Sequence, residues 1–385
     1  MAVWIRNRPL GLVYRDKAKS FDGYTLFSPV RGHHADLIDP EGHIVHQWRH
    51  PEGIQHLKLL ANGHLMVHTL PAESAEGTEA IGGSAAALLE LDQDSNVLWE
   101  YHDVYMHHDY QRLPNGNTLL IRWAKIPPEV SARVQGGHVG PADPDWMWGD
   151  VVREIDVAGE VVGEWRSWEH LSTDHHVKCL LESRKEWTHL NSLEFTAEGD
   201  WLLSFRLTST VAVVDHATGD LRWRWGSEVL SHQHHATWLD NGHILLFDNG
   251  CHRRDAPSFS QIIEVDPATR EVVWTYRSEP ILAFFSFMIS GCERLPNGNT
   301  FVTEGASGRL FEITPEGETV WEYVSPWLLP SPRFGPTPGV FRSYRFAADD
   351  ARLAGLALNP DAYDDLNARI AADETLGEAD DRATG

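Results

Sequence analysis

Histidine side chains recur at one place in the sequence, in short segments that lead into a turn containing glycine. In chain order these segments are His56, His107-His108-Asp109, His189-Leu190-Asn191 and His234-His235. His108, Asn191 and His234 each stand eight residues before the glycine of the next turn. Imidazole can act as acid, base or nucleophile near neutral pH. We therefore predict His108, His189 and His234 as catalytic residues. The predicted substrate-binding neighbours are His56, Asp109, Asn191 and His235.

Arginine side chains accompany these histidines. Arg253 follows the Asp-Asn-Gly sequence that ends one repeated segment, and Arg309 begins another segment. A guanidinium stays charged and offers a fixed fork of donors that matches sulfate, phosphate and carboxylate oxygens. Imidazole and guanidinium groups together predict a small anionic ligand, with Arg253 and Arg309 among the residues that bind it.

Two phrases repeat along the chain and predict the elements that position these side chains. The first phrase places a glycine turn between two apolar runs, as in LKLLANGHLMVH (57–68), TWLDNGHILLF (237–247) and ERLPNGNTFVT (293–303). The second phrase reads as strand, tight turn and strand, and its six copies run from ADLIDPEGHIVHQW (35–48) to LFEITPEGETVWEY (310–323). Two hairpins per repeat make a four-stranded antiparallel blade. The sequence therefore predicts an all-β, six-bladed β-propeller.

The segments that connect the predicted strands indicate the type of turn, the packing of the blades and the position of a functional face. Asn241-Gly242 favours φ > 0 and predicts a two-residue type I′ hairpin turn. The aromatic residues that end the second phrase, such as Trp48 and Trp165, are expected to pack between blades. Long links such as 123–148, 166–186 and 249–259 predict a functional face opposite the short turns.

The first repeat lacks a leading strand, so the two ends of the chain are expected to complete one blade together. We expect Val340–Phe346 to supply that strand beside residues 23–48. Residues 1–346 would then form the propeller. Residues 347–385, rich in Ala, Asp, Leu and Arg, are expected to form one or two short helices and an acidic disordered tail.

The composition of the chain excludes several kinds of binding partner and of metal or disulfide site. The 385 residues carry a formal net charge of -24, which argues against nucleic acid or an anionic membrane as partner. Cys179, Cys251 and Cys292 are too few and too scattered for a disulfide framework or a cysteine-based zinc site. The first 19 residues contain no apolar core of signal-peptide length, and no stretch approaches the length of a membrane span. We expect a cytoplasmic protein whose partner is a small anionic or aromatic substrate.

Several segments taken together resemble the arylsulfotransferase-like β-propeller family, over roughly residues 23–346. Trp187-Thr-His189-Leu-Asn191-Ser192 looks like the segment in which these enzymes carry a sulfate-binding histidine. Gln233-His234 and the following Phe247-Asp-Asn-Gly250 resemble the surroundings of a second active-site histidine, and Arg253 matches a sulfate-binding arginine. Val340-Phe-Arg-Ser-Tyr-Arg345 resembles the closing segment of the branch of the family that has no export signal.

One segment departs from the pattern of the family. Its sulfotransferases pass the sulfuryl group through a late histidine in a Gly-Ser-rich turn, and the corresponding stretch here is Gly305-Ala-Ser-Gly-Arg309-Leu-Phe311. Arginine stays protonated and cannot carry the group covalently. The resemblance thus implies an anion-binding site without the usual nucleophile, and it leaves sulfuryl transfer itself in doubt.

Three functions remain open at this point. The first is a transferase or hydrolase that acts on a small sulfated, phosphorylated or carboxylated aromatic compound without a cofactor. The second is a metal-dependent lyase or oxygenase in which a divalent metal or iron is bound by four histidines: His56, His108, His189 and His234. The third is a non-catalytic propeller that serves as a binding platform, although a platform alone has no need for so many histidines.

Overall fold

The computed structural model describes residues 9–71, 75–78, 81–140, 143–196, 198–253, 255–331 and 335–382. The chain folds as two compact units. Unit 1 comprises Met1–Leu70, Leu88–Glu100 and Met288–Gly385, and unit 2 comprises Pro71–Ala87 and Tyr101–Phe287. No helix in the described ranges is long and apolar enough to cross a membrane.

Short antiparallel strands make up most of both units. The first strands in chain order are β1 (Gly11–Arg15), β2 (Gly23–Pro29), β3 (His34–Ile38), β4 (Ile44–Arg49), β5 (His56–Leu59), β6 (Leu65–His68), β7 (Ala87–Leu91) and β8 (Val97–His102). They are followed by β9 (Met106–Arg112), β10 (Thr118–Lys125), β11 (Gly136–His138), β12 (Trp148–Ile155), β13 (Val161–Arg166), β14 (Lys178–Ser183), β15 (Leu190–Phe195), β16 (Trp201–Phe205), β17 (Thr210–Val214) and β18 (Leu221–Trp225). The last are β19 (His234–Trp238), β20 (Ile244–Asp248), β21 (Gln261–Val265), β22 (Val272–Tyr276), β23 (Gly291–Arg294), β24 (Thr300–Glu304), β25 (Arg309–Ile313), β26 (Thr319–Val324), β27 (Leu329–Ser331), β28 (Gly335–Thr337) and β29 (Val340–Ala347).

Helices are few and short. The α-helices are α1 (Pro128–Ser131), α2 (Ser167–His170), α3 (Asp364–Ala371) and α4 (Glu378–Asp381). Single 3₁₀ turns occur at Arg206–Thr208, Ile281–Ala283, Gly305–Ser307, Ala351–Leu353 and Pro360–Tyr363.

The strands assemble into the six blades that the repeats predicted. Unit 1 holds β29-β2-β3-β4, β5-β6-β7-β8 and β23-β24-β25-β26, and β1 adds a fifth strand to the last of these sheets. Unit 2 holds β9-β10-β12-β13, β15-β16-β17-β18 and β19-β20-β21-β22. We number the blades 1 to 6 in the order in which their second strands β2, β6, β10, β16, β20 and β24 occur in the chain. The fold is a six-bladed β-propeller, as expected.

Blade 1 is completed by the two ends of the chain, as the missing leading strand predicted. β29 lies antiparallel to β2, with Leu26 opposite Tyr344 and Thr25 opposite Arg345. Arg345 fixes this strand in the core of unit 1, since its Nη1 donates to Glu312 Oε2 at 2.7 Å and its Nε donates to Thr25 Oγ1 at 3.0 Å. The guanidinium also lies over the Trp321 ring at 4.0 Å.

The glycine turns differ from the predicted type I′ turns. The N–H of Gly242 donates to Leu239 O, and Gly242 has φ 83° whereas Asn241 does not have a positive φ. A type I′ turn needs positive φ at both central residues, so the prediction was wrong. The pattern is instead a type I turn followed by a left-handed glycine, which adds a residue and matches the twist of the strands equally well. Gly63, Gly116 and Gly298 repeat the same bond to the residue three positions before them.

The repeated tryptophans pack between neighbouring blades within each unit, as predicted. Trp48 Nε1 donates to Asp92 O at 3.1 Å, and Trp165 Nε1 donates to Gly219 O at 2.9 Å. Each indole thus reaches the carbonyl of a turn in the following blade. Because both rings are almost fully buried, each combines a large apolar contact with a satisfied N–H group.

The C-terminal segment is not a disordered tail over its described residues. Ile370 and Leu376 are buried in the core of unit 1. Asp381, only 1% exposed, accepts a hydrogen bond from the backbone N–H of His33 at 2.7 Å, and its Oδ1 lies 2.6 Å from Nδ1 of His34. Sequence composition missed this because a single buried carboxylate with histidine partners has no signature in an acidic segment.

The contact between His34 and Asp381 depends on pH. Burial alone would lower the pKa of His34, but Asp36 and Asp381 outweigh it and raise the pKa above its usual value. A raised histidine pKa contributes stability that is fully present below about pH 6.5 and is lost as pH rises through the folded-state pKa. Burial would raise the pKa of Asp381, but hydrogen bonds from His34 lower it, so its contribution is lost as pH falls through that lowered pKa.

We expect Asp381→Asn to lower the free energy of unfolding by about 1–3 kcal/mol at pH 6, because it weakens the buried contacts to His33 and His34. The difference from wild type should shrink as pH rises through the raised pKa of His34. Urea denaturation at several pH values measures it, with the exposed Asp361→Asn as control. A difference that stays constant between acid and alkaline pH would contradict the assignment.

Candidate functional site

The predicted histidines of unit 2 lie where the inner strands of its blades depart from regular pairing. In β15, Leu190 pairs with Phe205 and Ser192 with Ser204, so one extra residue is accommodated at Asn191. β9 and β19 show similar irregularities. The backbone is left-handed at His108, with φ 55°, and at His189, also with φ 55°. Such bulges and sparsely populated conformations redirect side chains and concentrate at functional sites.

His108 and His189 come from adjacent blades, and their side chains meet. Their rings are 4.5 Å apart between centroids and lie edge to face. His108 is 4% exposed and His189 is 8% exposed. The N–H of His108 donates to Gly83 O at 2.9 Å, and a Cβ on Gly83 would lie 2.2 Å from the His108 ring. Position 83 therefore has to be glycine for this imidazole to occupy its place.

A series of polar contacts favours one tautomer of His108. Asp150 Oδ1 lies 3.4 Å from His107 Nε2, a charge contact without hydrogen-bond geometry, and His107 Nδ1 lies 2.8 Å from His108 Nδ1. A carboxylate favours an N–H at the nitrogen that faces it, which leaves His107 Nδ1 as an acceptor. His108 Nδ1 then donates, and its Nε2 carries the lone pair. Stacking of His107 on Trp123, at 4.3 Å and 18°, holds the middle ring of this series.

Asp150 is a buried carboxylate whose other contacts keep it in place. Thr188 Oγ1 donates to Asp150 Oδ2, and the N–H of Leu190 donates to the same oxygen at 3.0 Å. Burial raises the pKa of Asp150 to about 6, against the lowering effect of the Thr188 hydroxyl. Asp150 is therefore ionised at neutral pH, as the orientation of His107 requires.

His189 is oriented by a second carboxylate. Its Nδ1 lies 2.9 Å from both carboxylate oxygens of Glu186. Burial would raise the pKa of Glu186, but the charges of His189 and Lys178 outweigh it and keep the pKa below its usual value. The ionised Glu186 accepts from His189 Nδ1–H and leaves Nε2 as the nitrogen directed away from it. Lys178 Nζ donates to the backbone carbonyl of Glu186 at 2.6 Å and helps to fix this segment.

His234 in blade 5 has its tautomer set by an amide. Asn249 Nδ2 donates to Ser286 O at 2.8 Å, which turns the amide oxygen of Asn249 towards His234. His234 Nδ1 lies 2.7 Å from that oxygen, so Nδ1 carries the proton and Nε2 carries the lone pair. In His108, His189 and His234 alike, a polar partner at Nδ1 orients the ring, and Nε2 is the other ring nitrogen.

Arg206 is a second cation near these histidines, besides Lys178. It follows β16, its N–H donates to His189 O at 3.1 Å, and its Nη1 donates to Glu182 Oε1 at 3.2 Å. Burial is the main cause that lowers the pKa of His108 well below its usual value, and the charges of His189, His107, His234 and Arg206 add to it. His108 is therefore neutral at physiological pH, in a region whose positive groups favour an anion.

Other predicted residues of unit 2 have structural partners. The Arg253 guanidinium pairs with the buried carboxylate of Asp248 and lies 4.4 Å over the Phe259 ring. Asp109 Oδ2 accepts from the N–H of Leu193 at 3.1 Å, which joins blades 3 and 4. Asn191 Nδ2 donates to Gln233 O at 2.8 Å, which joins blades 4 and 5. His235 is buried beside His234, with φ 48°.

Two predicted residues belong to unit 1. Arg309 lies between two carboxylates, with Nη1 3.3 Å from Glu304 Oε2 and Nη2 3.0 Å from Glu322 Oε2. His56 is buried, and its ring lies 5.1 Å from that of Phe341. The binding roles of Arg309 and His56, and the metal set that joins His56 to the histidines of unit 2, remain predictions.

Two of the carboxylates near these histidines were not predicted from the sequence. Glu186 and Asp150 lie at the edges of long links without a repeated phrase. The one available signal was proximity in sequence, since Glu186 precedes His189 by three residues. Asp150 could not be found in this way, because only folding brings it to His107.

Comparisons with known proteins agree with the fold and the motifs. A family model described as "Arylsulfotransferase (ASST)" matches residues 83–325. No match to a curated protein is found. A crystal structure of a protein of unknown function from Bacteroides caccae is similar with a TM-score of 0.53 and 14% identity, over 84% of this chain and 99% of that chain. A virginiamycin B lyase structure from Staphylococcus aureus gives a TM-score of 0.42 and 11% identity, over 82% of this chain and 84% of that chain.

At 14% identity, the similarity to the Bacteroides caccae structure concerns the fold alone. The family model is the finding that bears on relationship, and its matched range contains the segments around His108, His189 and His234. Since residues 83–325 are well over half of the 385 residues, the chain belongs to the arylsulfotransferase (ASST) family.

Proposed function

We propose that this protein transfers the sulfuryl group of a small aromatic sulfate ester to a phenolic acceptor, with His108 as the nucleophile. The observation that carries the proposal is the series of contacts from Asp150 through His107 to the buried His108, whose pKa is lowered. This series supports a lone pair at His108 Nε2. Membership of the family supports a transferase. A phosphorylated or carboxylated aromatic compound would offer the same site a similar anion.

In this proposal, His108 replaces the nucleophilic histidine that the family carries late in the chain. The late position at which the family carries its nucleophile holds Arg309, whose charge is matched by Glu304 and Glu322. A nucleophile has to be unprotonated and oriented. His108 meets both requirements from a different blade, so the reaction need not pass through the position of Arg309.

Each half-reaction balances with groups of this chain alone. In the first, His108 Nε2 attacks sulfur, the N–S bond forms, and the bond between sulfur and the aryl oxygen breaks. The leaving phenolate takes a proton from the imidazolium of His189, whose charge is stabilised by Glu186. In the second, the acceptor oxygen attacks sulfur, its proton passes to His189, and the N–S bond breaks. The reaction therefore needs no cofactor.

Arg206 and His234 complete the proposed site. Arg206 is close enough for its charge to affect the pKa values of His108, Lys178 and Glu186. We assign to it the sulfate oxygens, whose negative charge persists through the transfer. His234 contributes a third oriented Nε2 and is assigned to the hydroxyl of the acceptor.

A trapped intermediate tests the proposal directly. Mixing wild-type protein with p-nitrophenyl sulfate and quenching at alkaline pH should leave a sulfuryl group on the peptide that contains His108, as seen by mass spectrometry. Adding a phenol before the quench should remove the label and release p-nitrophenol in steady turnover. p-Nitrophenyl phosphate and p-nitrophenyl acetate serve as comparison donors.

The possible outcomes separate the proposal from its alternatives. A label on the peptide of His234 would overturn the assignment of His108. Turnover of the phosphate ester alone would overturn the sulfuryl group as the one transferred. Binding of the aromatic anions without turnover would favour the platform over the enzyme.

A further inference from the structure

We propose that Cys179, His232 and His252 form a zinc site in unit 2, with the carboxylate of Glu182 as the fourth ligand. One ligand atom from each of the first three residues lies within 4.8 Å of the other two. Thiolate, imidazole and carboxylate are the ligand types that Zn²⁺ takes in tetrahedral sites. Arg206, which donates to Glu182, is shared with the proposed sulfuryl-transfer site, but the zinc proposal rests on other observations and does not depend on that reaction.

The distances between the side chains match those of a zinc site. Zn–S and Zn–N bonds of about 2.3 and 2.0–2.1 Å at tetrahedral angles place sulfur and nitrogen about 3.6 Å apart. Cys179 Sγ lies 3.5 Å from His252 Nδ1. Glu182 Oε1 lies 3.7 Å from His232 Nε2 and 3.8 Å from His252 Nδ1. Small rotations of side chains would bring all four groups to one ion.

His232 supplies the second observation. It is 1% exposed, and its Nδ1 donates to Cys251 O at 3.2 Å. This bond leaves Nε2 with the lone pair, 3.7 Å from Glu182 Oε1, and the His252 ring lies 4.7 Å away between ring centroids. Among the residues that the structure describes, Nε2 has no hydrogen-bond partner. A buried acceptor without a donor costs free energy, and a metal ion at this position would satisfy it.

The surroundings resemble the shell that supports a metal. The ligands of metals are themselves held by hydrogen bonds, and here Cys251 O holds His232 while Arg206 donates to Glu182 at 3.2 Å. His232 and His252 both have left-handed backbones, with φ 63° and φ 58°. Their side chains are thus brought to Cys179, on β14, by strained residues on either side of the β19–β20 hairpin.

Access to the cluster is open enough for an ion to enter. The His252 side chain is 34% exposed and that of Glu182 is 24% exposed. Cys179 is partly exposed. The composition of the chain argued against a cysteine-based zinc site, because a single cysteine has no ligand spacing in sequence. Only the folded chain brings it to two histidines from other segments.

Zinc and cobalt titrations test the proposal on untagged, chelator-treated protein. We expect about one equivalent of Zn²⁺ to bind by isothermal titration calorimetry and to raise the melting temperature. Co²⁺ should give a near-ultraviolet thiolate-to-cobalt absorption and the visible bands of a tetrahedral ion. Zinc should also slow the reaction of Cys179 with a thiol reagent.

Matched variants locate the ion. Cys179→Ser should abolish the charge-transfer absorption, and His232→Asn and His252→Asn should weaken zinc binding at least about 10-fold. Asparagine is chosen because it tolerates a left-handed backbone. The controls Cys292→Ala and His175→Asn should bind as wild type does. Circular dichroism verifies that each variant is folded.

The results that overturn the site are distinct from those that overturn the transferase. Absence of zinc binding, or cobalt spectra unchanged in Cys179→Ser, would remove the proposed site and leave sulfuryl transfer untouched. A cobalt spectrum without thiolate absorption that is lost in His108→Asn would instead place the metal among the predicted histidines. Loss of sulfuryl transfer with intact zinc binding would leave this site standing.

Discussion

Turnover of p-nitrophenyl sulfate by a His108→Asn variant is expected to fall by about 10³-fold or more. Removal of a nucleophile costs this much or more when no neighbour replaces it. Asparagine tolerates the left-handed backbone at position 108, so loss of activity should not reflect loss of fold. The measurement is steady-state release of p-nitrophenol, with a melting curve for each variant.

Two further variants sharpen this experiment. His216→Asn changes a half-exposed histidine whose partner is Glu154 at 3.4 Å, and its turnover should match that of wild type. His108→Gly suits the backbone and leaves room for a ring, so added imidazole should restore part of the lost activity. Retention of more than about a tenth of wild-type turnover in His108→Asn would contradict its role as nucleophile.

The second large effect concerns the strand that completes blade 1. Replacing Arg345 by Met is expected to lower the free energy of unfolding by about 3–5 kcal/mol, the usual cost of removing one partner of a buried ion pair. The side chains of Arg345 and Glu312 are 1% and 0% exposed. Without the guanidinium, the buried carboxylate of Glu312 loses its ion-pair partner and is left with neutral donors such as Asn299 Nδ2, at 2.6 Å.

Urea denaturation followed by tryptophan fluorescence measures this loss. The control is Arg352→Met, which removes an arginine that is 39% exposed and pairs with Asp350. Surface pairs of this kind contribute about 1 kcal/mol or less. If the two variants lose equal stability, Arg345 does not hold the closing strand in the way described.

The elements of the fold followed from local pattern, whereas the shape of the turns did not. Alternating apolar residues and recurring glycines predicted the paired strands of every blade. The same glycines suggested type I′ turns, but Asn241 keeps an ordinary backbone and Gly242 alone is left-handed. The sequence of a dipeptide limits the backbone conformations that it can adopt. The register of the flanking strands then determines which of these conformations is adopted.

In the candidate site, the histidines could be predicted from the sequence, whereas the roles of the arginines could not. His108 and His234 could be named from their place in the repeats, because equal position in a repeat means equal position in a blade. His189 lies two residues before Asn191, which occupies the same position in its repeat. The arginines could not be ranked. Arg253 and Arg309 looked free in sequence, yet each pairs with a carboxylate in the fold, while Arg206 lies among the histidines.

By itself, the sequence determined the number of blades, the blade that the two ends of the chain complete together, and the histidines of the candidate site. All three follow from periodicity and turn chemistry, which act over a few residues. Only the tertiary structure decided which nitrogen of each imidazole faces a polar partner, which guanidinium is close to them, and that Cys179 meets His232 and His252. These depend on burial and on contacts between segments far apart in the chain, and no local pattern encodes such contacts.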